Sequence, residues 1–137
     1  MIVRVDALGI LLEAQRVLAL EVLGGFFGQA SLGRWWLPCA ALSEGESPSE
    51  LAMRTVEVQV GLKLADPVVV GARPQKVGND WHLGLVIAGA LGGTPGPLTP
   101  PVTGFSLRPM EMLPDQVGLW HRDDLALLAA RYHRLRD

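Results

Sequence analysis

The chain has 137 residues, enough for one domain with a substantial buried core, and 49% of them are apolar. Its formal net charge is −2, and its 12 basic residues are scattered along the chain without forming a stripe, which argues against nucleic acid as a partner. A lone cysteine, Cys39, excludes an internal disulfide and a multi-cysteine zinc site.

In chain order, Ile2 to Leu12 is an apolar run interrupted by Arg4 and Asp6, a pattern unlike a secretory leader. Glu13-Ala14-Gln15-Arg16 separates it from a second apolar run, Val17 to Leu23, and the pair predicts a β-hairpin. Gly24 to Gly33, rich in glycine and aromatic residues, predicts a loop or an irregular edge. Trp35 to Leu37 predicts a short strand that stops at Pro38.

Ser47-Pro48-Ser49-Glu50 predicts a helix start: Ser47 can accept from the amide at N3, Pro48 suits N1, and Glu50 can reach back to the Ser47 amide. The continuation is contested. Val56, Val58, Val60, Leu62 and Leu64 fall on alternate positions, the period of a strand, and the β-branched ones lower helix propensity. The capping box, in turn, needs helical turns to follow it.

Pro67 to Ala72 and Trp81 to Leu91 predict buried strands. The longest apolar run, Leu83 to Gly93, is too short to span a bilayer, so no membrane association is expected and the predicted setting is cytoplasmic. Gly92 to Pro101 carries four prolines and three glycines and predicts a loop. Gly104 to Leu107 predicts a short strand. Asp123 to Leu135, with Leu125, Leu128, Ala129 and Tyr132 at helical spacing, predicts a terminal helix.

One stretch carries a longer signature. Trp36-Leu37-Pro38-Cys39-Ala40 is followed by Gly45-Glu46-Ser47 and then by Arg54-Thr55-Val56-Glu57-Val58-Gln59-Val60-Gly61-Leu62. Its spacing resembles the Nudix box of MutT-like hydrolases: Gly, five residues, Glu, seven residues, then Arg-Glu-apolar-x-Glu-Glu-x-Gly-apolar. Glu46, Arg54, Gly61 and Leu62 stand on their pattern positions, whereas Ala40 replaces the first glycine. The three glutamates of the core are replaced by Thr55, Val58 and Gln59.

The resemblance covers nearly the whole chain and implies an α+β Nudix fold over residues 1–137. In that α/β/α sandwich, a mixed sheet is flanked by the box helix and a C-terminal helix. It implies helix to about Val60 with Gly61 as a left-handed cap, and it matches Pro109 to Pro114 with the short segment before the last helix.

The family hydrolyses nucleoside diphosphates linked to another group, with magnesium or manganese neutralising phosphate charge and orienting a water. Such cations need oxygen ligands, mainly carboxylates. Positions 55, 58 and 59 share one helical face, and here that face offers a hydroxyl, a valine and an amide. Glu50 and Glu57 point about half a turn away. Where many family members carry a basic residue toward substrate, this chain has Leu20-Glu21-Val22.

The expected protein is therefore a Nudix-fold ligand-binding or protein-interaction module without metal-dependent pyrophosphohydrolase activity and with no cofactor. Its expected partners are a nucleotide-like small molecule, a second copy of the chain, or another protein. The alternative is a divergent hydrolase of a nucleoside-diphosphate-linked substrate, using magnesium or manganese on non-standard ligands such as Glu46.

Trp35, Trp36, Glu46 and Arg54 are the candidate ligand contacts. Each also has an ordinary structural role: core packing for the two tryptophans, and a loop-to-helix ion pair for Glu46 and Arg54. Cys39 reads as a small buried residue, and His82, His121 and His133 lack metal-ligand spacing.

Overall fold

The computed structural model describes residues 1–27 and 34–136. Its strands are β1 (Ile2–Leu11), β2 (Arg16–Val22), β3 (Trp35–Trp36), β4 (Cys39–Ala41), β5 (Lys63–Val77), β6 (Asp80–Gly92), β7 (Val102–Pro109), β8 (Gln116–Val117) and β9 (Trp120–His121). The helices are α1 (Pro48–Val60) and α2 (Arg122–Arg136), with a 3-10 turn at Met110–Met112. Most of the Gly24 to Gly33 loop lies outside the described residues.

The β1–β2 hairpin exists only at its closed end, where Ile10 faces Val17 and Leu11 faces Arg16. The strands then part. β1 runs parallel to β6, from Ile2 opposite His82 to Ile10 opposite Ala90, and β2 turns to β7 and β3. The cause lies in the side chains of β1. Val5 and Ala7 bury on one face while Arg4, Asp6, Leu8 and Ile10 bury on the other, so the strand needs cover on both sides and takes a central place.

The result is a mixed seven-stranded sheet ordered β3-β2-β1-β6-β5, with β4 against β1 and β7 against β2. Leu51, Ala52, Val56 and Val60 of α1 close one face with Leu18 and Leu20, and Leu125 and Tyr132 of α2 close the other with Leu8, Ile10, Val17 and Ala19. This is the anticipated α/β/α sandwich.

The contested stretch is helical. Ser47 Oγ accepts from the Glu50 amide at 3.3 Å, and Gly61 ends the helix at φ 78°, its amide donating to Glu57 O at 2.8 Å. Burial explains why helix wins over alternation. Val56 and Val60, four apart, are buried, whereas Val58 between them is 55% exposed; a half-buried strand would have buried all three on one face.

The proline-rich segment after β6 is tied to that helix end. Gly96 N–H donates to Val60 O at 2.9 Å, Thr99 N–H to Gln59 O at 3.3 Å, and Thr99 Oγ1 to Val58 O at 2.7 Å. The approach is so close that a Cβ on Gly61 would sit 2.2 Å from Gly96 N. The helix's orphan carbonyls are thus satisfied by a loop.

β5 is longer and less buried than anticipated. Between Pro67 and Ala72 only Val70 is buried, because β5 is an edge strand with register shifts on both sides of Val68–Val69. An edge also accommodates Pro67 and Pro74. β4, β8 and β9, of two or three residues each, are too short to leave a periodic pattern.

Candidate functional site

The face displaying Thr55, Val58 and Gln59 lines a shallow depression of 210 Å³ with Ala40, Leu51 and Arg54. Thr55 is buried in its floor and Val58 stands exposed at its rim. Gln59 Nε2 donates to the Cys39 carbonyl at 3.2 Å, and Gln59 Oε1 is a buried acceptor without a hydrogen-bond partner among the described residues. The family position at 59 thus serves here to staple α1 to β4.

Glu46 and Arg54 do meet, but they meet each other. Glu46 Oε1 accepts the Ser43 amide at 2.7 Å and Oε2 accepts from Arg54 Nη2. The Ser43 amide first, and the Arg54 guanidinium second, hold the carboxyl below its usual range. The pair fastens the loop before α1 onto the helix.

This donor set does not fit a divalent metal. Val58 has no donor atom, Gln59 offers only its neutral Oε1 because its Nε2 is tied to Cys39, and the carboxylate of Glu46 is occupied by a guanidinium and an amide, so the face lacks the charge a divalent ion needs. Among the described residues, no group of three or more His, Cys, Asp or Glu side chains is placed to hold an ion.

The two candidate tryptophans separate. Trp36 is 2% exposed and packs in the α1-side core, with Phe26 edge-on at 5.5 Å, so its ring is not offered to a base in this conformation. This burial corrects the expectation of Trp36 as a ligand contact. Trp35 is half-buried on the other side, with the Arg108 guanidinium 4.6 Å from its ring centre and that of Arg34 at 5.8 Å. Neither tryptophan lines the box depression. Cys39 is buried, and burial first, then the charge of Asp6, pushes its thiol pKa well above its ordinary range, leaving an inert group.

A polar cluster that the motif did not mark lies on the α2 side of the sheet. Arg4 and Asp6, two apart on β1, share a face and bury completely as a bidentate pair. Arg4 Nε donates to Asp6 Oδ1 at 2.8 Å and Nη2 to Oδ2 at 2.7 Å. Asp6 Oδ2 also accepts Trp120 Nε1–H at 2.6 Å. Arg4 Nη2 reaches Gln75 Oε1, and Gln75 Nε2 donates to Leu119 O at 2.8 Å.

Arg4 Nη1 lies 3.0 Å from His82 Nδ1. Because a guanidinium only donates, His82 accepts there and is neutral, with its proton on Nε2. Burial, followed by the Arg4 charge, lowers the His82 pKa. Gly84 leaves the room: a Cβ there would come within 2.7 Å of Arg4 Nη2 and Gln75 Oε1. The signal available in sequence was the charged pair two apart inside an apolar run.

No family model matches the sequence, and no curated protein sequence matches it. Solved structures do match. The MutT protein from Methanosarcina mazei Go1 superposes with a TM-score of 0.76 at 19% identity, covering 96% of this chain and 94% of that one. The NUDIX hydrolase from Nitrosomonas europaea gives 0.72 at 17% identity, covering 96% and 88%. The NUDIX domain of Shewanella oneidensis NrtR, complexed with ADP ribose, gives 0.70 at 17% identity, covering 97% and 87%. Likeness over the full length at such low identity speaks for architecture, and with the sandwich and capped box helix in place, the chain has the MutT-like Nudix fold.

Proposed function

We propose that this protein is a binding or interaction module on the Nudix fold, without metal-dependent pyrophosphohydrolase activity. The observation that carries this reading is the box face itself. Where the family gathers carboxylates, Thr55 is buried, Val58 is apolar, Gln59 is tied to Cys39 and Glu46 is paired with Arg54. Such a face suits a neutral contact better than a magnesium-bound pyrophosphate. The structural likeness to a domain complexed with ADP ribose supports a nucleotide-like metabolite as the small-molecule ligand. A second copy of the chain is the protein partner to examine first, by light scattering.

Calorimetric titration with magnesium, manganese and ADP-ribose tests the reading. The expected result is no saturable metal binding and, for any nucleotide that binds, an affinity unchanged by chelator. Tight metal binding that disappears in Glu46→Ala overturns it. So does metal-dependent turnover of ADP-ribose or a dinucleotide above that same variant, the result a divergent hydrolase would give.

A further inference from the structure

The outer strand β7 carries a second polar site, on a different part of the sheet from the box. Ser106 and Arg108 stand in register with Ala19 and Val17, which belong to the α2-side core, whereas the box depression belongs to α1. The Arg108 guanidinium lies against the Trp35 ring, and its Nε donates to Ser106 Oγ at 2.9 Å. An aromatic face and a hydroxyl together hold the fork in one orientation.

Neither terminal nitrogen of Arg108 has a protein acceptor among the described residues. That sets it apart from Arg4, Arg34, Arg54, Arg73 and Arg122, each of which has a carboxylate within 4.0 Å. Arg16 is similar to Arg108: its Nη1 donates to Leu107 O at 3.3 Å, and no carboxylate pairs with it among the described residues. Both arginines line a groove of 600 Å³ with Ser106, Glu111 and Met112.

We infer that this groove binds a small ligand through a single oxyanion group, a phosphate or a carboxylate, held by the Arg108 fork. A half-buried, pre-oriented guanidinium lacking a counter-ion has the geometry for bidentate recognition. Ser106 Oγ accepts from Arg108, so its own proton is free to donate to the same anion. Arg16 supplies a second positive charge. Glu111 on the wall sets a limit: one negative charge against two positive ones suits a single oxyanion and disfavours a pyrophosphate.

The Arg Nε–Hε resonances of the intact protein, followed at constant ionic strength, provide the readout. Inorganic phosphate and acetate are titrated separately, which distinguishes the two sources, and pyrophosphate is the third probe. Phosphate or acetate is expected to give a saturable shift at Arg108 and at Arg16, and the Arg16 resonance is expected to show affinity falling about tenfold in Arg108→Lys, which keeps the charge and loses the fork. Arg16→Gln weakens binding less, and Gln59→Ala leaves it unchanged, so the result does not depend on the box. A shift that never saturates, equal affinity in a folded Arg108→Lys protein, or pyrophosphate binding much more tightly than phosphate overturns the inference.

Discussion

Two ion pairs in this molecule invert the usual relation between sequence signature and structural weight. Glu46–Arg54 sits on named motif positions, yet both side chains remain in contact with water and their pairing fastens a loop. Arg4–Asp6 belongs to no motif, yet it is sealed beneath Trp120 and connected to His82 and Gln75. Water competes with the first pair and is excluded from the second. The difference teaches that a place in a recognisable sequence pattern is no measure of structural weight, and that burial decides how much the fold depends on a pair.

The sharpest way to break the comparison is to remove one member of the inner pair. Asp6→Ala leaves the Arg4 guanidinium buried and uncompensated, and unfolding in urea is expected to show a loss of about 3–5 kcal/mol. Replacing both, Arg4→Met with Asp6→Leu, should recover most of that loss, because the cost lies in the orphaned charge. A double variant as unstable as the single one would show that the network, and not charge balance, holds this side of the core.

An intermediate effect follows from His82. Its pKa is lowered in the folded protein, so the unfolded chain takes up the proton first as pH falls. Stability is fully present above the ordinary histidine value of about 6.5 and declines as pH drops from there through the lowered folded-state value. Thermal midpoints between about pH 7 and pH 5 should fall in the parent and fall much less in His82→Gln, whose amide oxygen can still accept from Arg4. Parallel curves would remove His82 from the account.

The smallest effect is expected at the motif pair. Arg54→Gln should shift the urea midpoint far less than Asp6→Ala, and added salt should erase the difference from the parent. The carboxyl of Glu46 lies below its ordinary value of 4.5, so its contribution is present above that pH and is lost as the solution becomes more acidic. A shift as large as that of Asp6→Ala would reverse the ranking of the two pairs.

What the sequence disclosed follows the range of the interactions involved. Ser47 and Pro48 act within one turn, so the start of α1 was legible, whereas its end at Gly61 came only from the resemblance of the box spacing. The box spacing was legible because it is a pattern along a single segment. The parting of β1 from β2 was hidden, because it depends on β6, some eighty residues away, covering β1 in parallel. The role of His82 was hidden for the same reason: it meets Arg4 only through that register. Trp35 and Trp36 looked equivalent until alternation on a short strand sent one into the core and left the other beside Arg108.

The contact between Gly61 and Gly96 has a consequence for anyone who wishes to build on this scaffold. Surface loops usually accept inserted peptides, and the turn at Gly78–Asn79 between β5 and β6 is such a place. The segment from Gly96 to Thr99 is not, because its amides and hydroxyl complete the carbonyl end of α1 at a backbone separation that admits no side chain. The two loops therefore differ in kind: one is spare length, and the other, with Leu98 packed against the core, is the last turn of a helix contributed by a distant part of the chain.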